Sequence, residues 1–404
     1  MIPETTYYIR AYATNGHGTA YGSVLSFTTD PILGTGVTFS VSSDGSLLLH
    51  SVGDKRIILK SVGSDNYIKY SSDNGSSYNT GVKVTGIFTS DSKARILGNG
   101  IIVLFCGGKI YYSSNNLATI NPCNVLNKDG SVYTLHTPVN PSYPGGYFNF
   151  MGGFVENGGV AVMGNYTNNA QGASPINLYY SLDGITWKIF YTFGQSPIYT
   201  DNGTAAGGTG GTLLGDPSNP LLARHIHSVN IGEDGNYYAC TGDADGEMHF
   251  MKCVYDNGSD SWSVNDLLSG ASRTWQRMRA LGVYERNGYL YWGSDGSETF
   301  VYNGVQYNSL GIYKCAVSDI NNPAKHILLK SLQDACYSFL NVDHIVFAGM
   351  QSYGYVYISY DYGETWTTYK KPAWMTGSVQ GVWYNIEYKY LVNDAGVFIY
   401  STQF

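Results

Sequence analysis

The sequence predicts an all-β protein built from repeated strand-and-turn units. The 404 residues include 50 Gly and 37 Tyr, which favour tight turns and strands respectively. Only 13% of the residues are charged, against about 25% in ordinary soluble domains, so a coiled coil or a helical bundle is excluded. One turn motif also recurs along the chain, which indicates internal repetition. Because 43% of the residues are hydrophobic, the chain can fill a core and is not disordered.

Charge and hydropathy exclude two classes of partner. The formal net charge is −7, whereas a nucleic-acid-binding surface needs clustered cations. No stretch approaches the ~18 consecutive apolar residues of a membrane span, and the first 15 residues lack the basic-then-apolar pattern of a signal peptide. We therefore expect no nucleic acid as a partner and no membrane span.

The cysteines predict neither a zinc site nor a disulfide framework. The six are widely spaced and include no CxxC pair. Cys240 and Cys253 could pair across neighbouring strands, but buried free thiols are the favoured interpretation.

The recurring motif is a turn of the form S-x-D-x-G-x-S/T-aromatic, each copy following a Tyr-rich strand. In this turn the Asp is expected to accept backbone N–H bonds, the Gly to supply a positive φ, and the aromatic ring to fold back under the hairpin. The third copy along the chain matches the pattern fully, and the second is one residue shorter. The three copies place their motif residues at Ser71, Asp73, Gly75 and Tyr78, at Ser181, Asp183, Gly184 and Trp187, and at Ser359, Asp361, Gly363 and Trp366.

These three copies resemble the Asp-box (BNR-repeat) β-propellers, the group that includes the sialidases. Counting degenerate copies, repeat units begin near residues 71, 113, 181, 254, 316, 359 and 401. The resemblance therefore implies a propeller over residues 30–404 with seven blades of four strands, six blades being the alternative. The last unit stops at its third strand, and we expect residues 36–41 to supply the missing outer strand and close the ring.

Residues 1–29 do not fit the repeat. Their sequence resembles the last two strands of a fibronectin type III domain, in which Tyr7, Ile9 and Tyr12 would be core residues. Because two strands alone are only marginally stable, the chain is expected to be part of a longer protein or assembly.

Three insertions indicate where a site lies. Residues 128–149 join the second and third blades, residues 194–222 join the third and fourth, and residues 296–310 join two strands of the fifth. In the predicted propeller all three fall on the face opposite the Asp-boxes. Long insertions in a compact domain usually serve a site, so this face is the predicted binding face.

The candidate ligand-binding residues lie on strands and turns near these insertions. Strand alternation puts His225 and His227 on one face, where a divalent metal is conceivable but not favoured. Clustered arginines could hold a carboxylate or sulfate, and tryptophans at loop ends could stack on sugar rings. The predicted set is His225, His227, Asp243, Asp245, Trp275, Arg279, Trp292 and Asp295. No cofactor is expected.

Three functions remain open at this stage. The favoured one is non-catalytic recognition of a glycan or host-surface receptor by an extracellular, cell-surface or phage tail-fibre protein. Loops rich in Tyr, Asn, Gly and Ser suit that role. The alternatives are a sialidase-like glycoside hydrolase or another polysaccharide-degrading enzyme, and a purely structural virion or envelope component. The resemblance implies that a sialidase needs three converging arginines, for which Arg56, Arg224 and Arg279 are the candidates.

Overall fold

Strands account for nearly all of the regular structure. The structure, a computed structural model, describes residues 6–28, 37–41, 46–86, 92–106, 109–133, 153–166, 175–194, 215–223, 225–242, 246–268, 276–296, 299–342, 344–350, 355–370, 383–385, 390–392 and 397–401. Within these ranges there is no α-helix, and the short 3-10 turns are Gln276–Met278, Val317–Asp319 and Pro323–Lys325. The predicted all-β class is confirmed. Over the same residues, no helix is long and apolar enough to cross a membrane.

Two small antiparallel sheets lie at the start of the chain. Strand β1 (Thr6–Ile9) pairs with β4 (Leu25–Thr28), and between them β2 (Tyr12–Asn15) pairs with β3 (Gly18–Tyr21). Ile9 and Tyr12 are more than half exposed, so their predicted place in a core is wrong for this structure. The physical reason is that a two-stranded sheet has no second layer to cover either face.

The next strand, β5 (Val37–Val41), joins the last sheet of the chain, and three larger sheets follow it in order. Sheet 1 contains β6 (Leu47–Val52), β7 (Lys55–Val62), β8 (Asp65–Ser71) and β9 (Val82–Lys83). Sheet 2 contains β10 (Lys93–Ile96), β11 (Ile102–Cys106), β12 (Lys109–Ser113) and β13 (Asn121–Pro122). Sheet 3 contains β14 (Asn124–Leu126), β15 (Phe154–Asn157), β16 (Val160–Gly164), β17 (Asn177–Ser181) and β18 (Thr186–Thr192).

Four more sheets complete the described part of the chain. Sheet 4 contains β19 (Ile226–Ile231), β20 (Tyr237–Thr241), β21 (Phe250–Asp256) and β22 (Ser261–Asp266). Sheet 5 contains β23 (Ala280–Arg286), β24 (Tyr289–Ser294), β27 (Ile312–Ala316) and β28 (Ile327–Lys330), with the hairpin β25 (Thr299–Tyr302) and β26 (Val305–Asn308) inserted in it. Sheet 6 contains β29 (Cys336–Val342), β30 (Ile345–Met350), β31 (Tyr355–Ser359) and β32 (Thr367–Lys370). Sheet 7 contains β33 (Trp383–Asn385), β34 (Tyr390–Val392), β35 (Val397–Ser401) and β5.

The sheets form a ring. Sheets 1, 2 and 4 to 7 are antiparallel meanders of four strands, and sheet 3 adds β14 on its outer edge, parallel to β18. The first meander strands adjoin one another: β6 lies beside β10, β15 beside β19, β19 beside β23, β23 beside β29, and β33 beside β6. Because sheet 7 thus adjoins sheet 1, the architecture is a β-propeller. Strand β5 pairs antiparallel with β35, as the sequence predicts for the closing strand.

The repeated turn has the predicted hydrogen bonds. Ser71 Oγ donates to Asp73 Oδ1 at 2.6 Å and accepts from Gly75 N at 2.8 Å, and Asp73 Oδ1 accepts from Ser77 N at 2.9 Å. The turns that begin at Ser181 and Ser359 repeat this arrangement. Each turn therefore stabilises itself locally, whatever lies on the opposite face.

The turns and the candidate site lie at opposite ends of the strands. Ser71, where the first turn begins, pairs with Arg56 near the start of β7. This is the end of sheet 1 at which β6 finishes. By contrast, Ile226 at the beginning of β19 pairs with Thr241, where the loop that contains Asp243 and Asp245 leaves β20. The candidate loops thus open on the face opposite the turns.

The core lies between neighbouring sheets. Phe105 and Trp187 pack between sheets 2 and 3, and Phe250 and Trp292 between sheets 4 and 5. The sheets approach closely: a Cβ on Gly164 would lie 2.6 Å from the side chain of Ile226, so only glycine fits there.

Cys240 and Cys253 are free thiols, which confirms the favoured interpretation. In the register of β20 and β21, Cys240 faces Phe250 and Cys253 faces Tyr237, so the two side chains cannot meet. Burial raises the pKa of the Cys240 thiol to about 12, which makes this thiol inert at neutral pH.

Candidate functional site

The two predicted histidines are buried and bonded to each other. The side chains of His225 and His227 are almost fully buried, and their Nε2 atoms are 2.9 Å apart. Nδ1 of His227 lies 2.8 Å from the carbonyl oxygen of Ala280. Because a carbonyl oxygen only accepts hydrogen bonds, Nδ1 of His227 is the donor to Ala280. In a neutral ring Nε2 of His227 then has no hydrogen, so it accepts from the Nε2–H of His225. The Tyr166 ring stacks on His225 with centroids 4.1 Å apart.

The geometry of the His225–His227 pair is that of a hydrogen bond between the two rings. Asp243 and Asp245 lie outside the described residues. Among the residues that are described, no cluster of three His, Cys, Asp or Glu could hold a metal.

Arg279 and Asp295 join the histidines at the junction of sheets 4 and 5. Arg279 Nε lies 2.8 Å from Asp295 Oδ2, and the Asp295 N–H donates to the Arg279 carbonyl at 2.6 Å. Gly242 packs between the two pairs, since a Cβ there would lie 2.9 Å from His227 Cε1 and 3.2 Å from Arg279 Cγ. The structure therefore gathers four of the predicted residues, of which only Arg279 is appreciably exposed.

Trp292 is a core residue, and its predicted role in stacking on a ligand is wrong. Its side chain has no exposed surface, its indole N–H donates to the Arg277 carbonyl at 2.9 Å, and its ring stacks on Tyr313. A ring covered on both faces has none left for a sugar. Trp275 lies outside the described residues.

The arginines expected of a sialidase do not converge. Arg56 begins β7 at the turn end of sheet 1, where its Nη1 would lie 3.0 Å from a Cβ on Gly75. Arg279 lies at the opposite end of the strands, beside Gly242. Arg224 lies outside the described residues. The arrangement of Arg56 with Arg279 predicted for that enzyme is therefore wrong.

Arg277 anchors the third insertion. Its Nε and Nη2 donate to the carbonyl of Asn308 at 3.0 and 2.8 Å, and its Nη1 donates to the carbonyl of Pro323 at 3.3 Å. The guanidinium lies over the Tyr313 ring, 4.4 Å from its centroid. Burial lowers the pKa of Arg277. Its donors are thus used to hold the β25–β26 hairpin rather than to receive an anion.

A cavity lies where the first insertion begins and the second one ends. This face cavity, of about 730 Å³, is bordered by the turn after β14, the end of β18 and residues 215–220. The residues flanking it lead directly into residues 134–152 and 195–214, which lie outside the described part. The residues that line it include Tyr133, Asn177, Tyr191, Asp216, Ser218 and Asn219.

The polar groups of the face cavity are held in place by their own hydrogen bonds. Asp216 Oδ1 accepts from the N–H and hydroxyl of Ser218 at 2.8 and 2.6 Å, and Asn219 Nδ2 donates to the Thr192 carbonyl at 2.8 Å. The Ser218 hydroxyl, with a smaller effect of the Lys128 charge, lowers the pKa of Asp216. Asp129 Oδ1 likewise accepts from the N–H and hydroxyl of Ser131, which lowers its pKa. Both carboxylates are therefore ionised at neutral pH.

A second, smaller cavity adjoins the first. This side cavity, of about 460 Å³, runs between sheets 3 and 4 and is lined by Tyr180, Lys188, Asp260, Ser261 and Trp262. The two cavities share Asn127, Lys128, Asp129, Ile189 and Phe190.

The sequence indicated the neighbourhood of the face cavity but not its residues. The insertion at 128–149 begins beside it and the insertion at 194–222 ends beside it, whereas the described residues chosen from the sequence lie on sheets 4 and 5. Asn127, Asp129, Asp216 and Asn219 have the composition of ordinary turns. The signal that the sequence offered was their position at the boundaries of the two insertions.

Comparison with solved structures shows distant structural likenesses. The chain is similar to YCF48 from Cyanidioschyzon merolae, with 13% identity over 91% of this chain and 98% of that one and a TM-score of 0.46. It is also similar to a structure of YCF48 bound to D1 peptide, with 12% identity over 91% and 97% of the two chains and a TM-score of 0.46. The extracellular domain of BT4673 from B. thetaiotaomicron matches 96% of this chain with 45% of its own, at 10% identity and a TM-score of 0.45. The sequence matches no protein-family model and no curated protein.

Proposed function

We propose that the protein is a seven-bladed β-propeller that binds carbohydrate without catalysis, on the face opposite the repeated turns. The observation that carries the proposal is the face cavity between the bases of two insertions. Its volume of about 730 Å³ lies in the range of small-molecule sites. A glycan at an extracellular, cell or virion surface is the proposed partner.

The chemistry of the face cavity suits sugar hydroxyls. The ionised Asp129 and Asp216 offer acceptors for charge-assisted bonds from hydroxyl donors. Tyr133 and Tyr191 add ring surface, on which the C–H faces of a sugar can pack, and hydroxyl groups. Since these side chains are already held by neighbouring turns and strands, little ordering is required on binding.

Two observations favour binding over sialidase-like hydrolysis. Arg56 and Arg279 lie at opposite ends of their strands, too far apart to clamp one carboxylate. The hydroxyl of Tyr291 does donate to Glu364 at 2.5 Å, but this pair lies at the end of the strands where the repeated turns are. Burial is the main cause, and the Glu364 hydrogen bond a smaller one, of a raised pKa of Tyr291. A tyrosine that holds its proton more tightly is a poor nucleophile.

The test is binding to an array of defined glycans, followed by titration calorimetry, with Ser218→Tyr as the blocking variant. Ser218 is exposed at the edge of the face cavity, and a tyrosine there would fill the space and lower the affinity at least tenfold. Ser263→Tyr is the matched control, because Ser263 is also exposed but lines neither cavity. A parallel titration with EDTA tests whether glycan binding needs a metal ion, and we expect the affinity to be unchanged.

Two outcomes would contradict the proposal. One is the absence of binding to every glycan on the array by the folded protein. The other is an equal loss of affinity in Ser218→Tyr and Ser263→Tyr, which would place the ligand elsewhere. Release of reducing sugar from the bound glycan would show an enzyme instead.

A further inference from the structure

The face and side cavities adjoin each other along β18, and together they are called the groove. Their five shared residues all belong to the Asn127–Asp129 segment and to β18. Between the cavities stands the turn after β14, which is held by hydrogen bonds from Asn127 N to Ser131 O at 2.8 Å and from Gly130 N to Asn127 O at 2.9 Å. A ligand long enough to follow β18 past this turn would contact both cavities.

The groove follows the outer edge of β18. Strand β14 pairs with β18 only from Thr186 to Lys188 and then turns away, so the next residues of β18 border the cavities. From Lys188 to Thr192 the strand advances roughly 13 Å, at about 3.3 Å per residue. This length exceeds one pyranose ring, so a single sugar cannot contact both ends.

The far end of the groove also offers groups for a sugar. Asp260 accepts hydrogen bonds from the Tyr180 and Tyr255 hydroxyls, both at 2.8 Å, and from Lys188 Nζ at 2.5 Å. About two-fifths of each side chain of the Lys188–Asp260 pair remains exposed, so both can bond to a ligand as well. Trp262 stacks on Phe190 with centroids 4.0 Å apart, which forms an aromatic wall beside them.

We propose that the groove binds a linear oligosaccharide, with one sugar in the face cavity and a following sugar in the side cavity. This inference rests on the proposed function, which requires only the face cavity. It adds a second subsite, formed by Lys188, Asp260, Ser261 and Trp262, and makes chain length a determinant of affinity. Neutral sugars suit this subsite because Lys188 and Asp260 already balance each other's charge.

The experiment compares chain lengths. Disaccharides and hexasaccharides of β-1,4-glucose, α-1,4-glucose, β-1,4-mannose and β-1,4-N-acetylglucosamine are titrated against the wild-type protein, Ser261→Tyr and the control Ser263→Tyr. Ser261 is exposed and lines the side cavity, so a tyrosine there blocks the second subsite alone. For at least one series we expect the wild type and Ser263→Tyr to bind the hexasaccharide at least tenfold more tightly than the disaccharide. In Ser261→Tyr that advantage disappears, while affinity for the disaccharide is unchanged.

The failures of the two proposals can be told apart. Equal affinity for short and long chains, preference for branched or terminal sugars, or a Ser261→Tyr variant that keeps the length dependence would overturn the groove and leave the face cavity intact. Loss of disaccharide binding in Ser261→Tyr would also contradict separate subsites, provided that its circular dichroism and melting temperature match those of Ser263→Tyr. No binding of any glycan overturns both proposals.

Discussion

At the residue scale, the buried histidine pair connects two neighbouring sheets. His227 reaches from β19 to the carbonyl of Ala280 on β23, and the thiol of Cys240 donates to the same oxygen at 3.1 Å. Nε2 of His225 is hydrogen-bonded to Nε2 of His227. The pair is therefore placed to stabilise the junction of sheets 4 and 5.

We expect His227→Phe to destabilise the protein by about 2 kcal/mol, since a buried donor on His225 loses its acceptor. Urea denaturation followed by tryptophan fluorescence measures the change. His17→Phe is the control, because His17 is exposed in the β2–β3 turn and its substitution should change the free energy of unfolding by less than about 0.5 kcal/mol. A normal stability of His227→Phe would show that the pair has no structural role.

At the scale of single elements, one turn tolerates a substitution that the motif does not predict. At Ser113 the sequence has Asn115 where other copies have Asp, yet Asn115 Oδ1 accepts from Ser113 Oγ and from Thr119 N, both at 3.0 Å. Leu117 takes the position of the glycine with φ of 63°. An amide oxygen can thus replace a carboxylate oxygen in this turn.

The carboxylate of the first turn, Asp73, should make the stability of the protein depend on pH. Hydrogen bonds from Ser71 and Ser77 lower the pKa of Asp73 from its usual value to about 2. A carboxyl whose pKa is lower in the folded state contributes stability above its unfolded pKa of about 3.9 and loses it as the pH falls towards 2. We expect Asp73→Asn to remain folded and to show a smaller drop in melting temperature between pH 4 and pH 2 than the wild type. An identical drop in both proteins would contradict this role.

Arg277 binds the inserted β25–β26 hairpin at its last residue. Arg277 donates to the Asn308 carbonyl through two nitrogens, a fork that lysine cannot reproduce. Arg277→Lys is expected to cost about 2 kcal/mol and to raise hydrogen exchange mainly in residues 299–308. Exchange that stays at the wild-type level in this hairpin would mean that Phe300 and the tyrosines hold it without the arginine.

At the scale of the whole molecule, the ring is closed by a strand from the other end of the chain. The backbone of β5 pairs with β35 from Val37↔Ser401 to Val41↔Val397, whereas among the described strands β1 pairs with β4 and β2 with β3. Sheet 7 therefore combines residues separated by more than three hundred positions.

Two truncations test this closure. Removal of residues 1–28 deletes only the small N-terminal sheets and should leave the melting temperature nearly unchanged. Removal of residues 1–41 also deletes β5, exposes the edge of β35, and should lower the melting temperature by on the order of 10 °C. Differential scanning calorimetry compares the two, and equal melting temperatures would show that β5 is dispensable.

Local patterns predicted local structure well and distant contacts poorly. The turns around Asp73, Asp183 and Asp361 follow from side chains within a few positions, so the motif contains all the information needed. Trp292 was misassigned because its strand is buried on both faces, and continuous burial gives no alternation that separates core from surface. The face cavity was missed for a different reason, since Asp129 and Asp216 line one cavity although they are 87 positions apart in the sequence.

The sequence by itself determined the all-β class, the repeated turns, the positions of the insertions and the strand that closes the ring. These features depend on hydrogen bonding and periodicity over short stretches. Only the tertiary structure decided which residues share a cavity, which tryptophan belongs to the core, and that Arg56 and Arg279 lie at opposite ends. Such relations depend on how sheets pack against one another, and the packing joins residues that no local pattern connects.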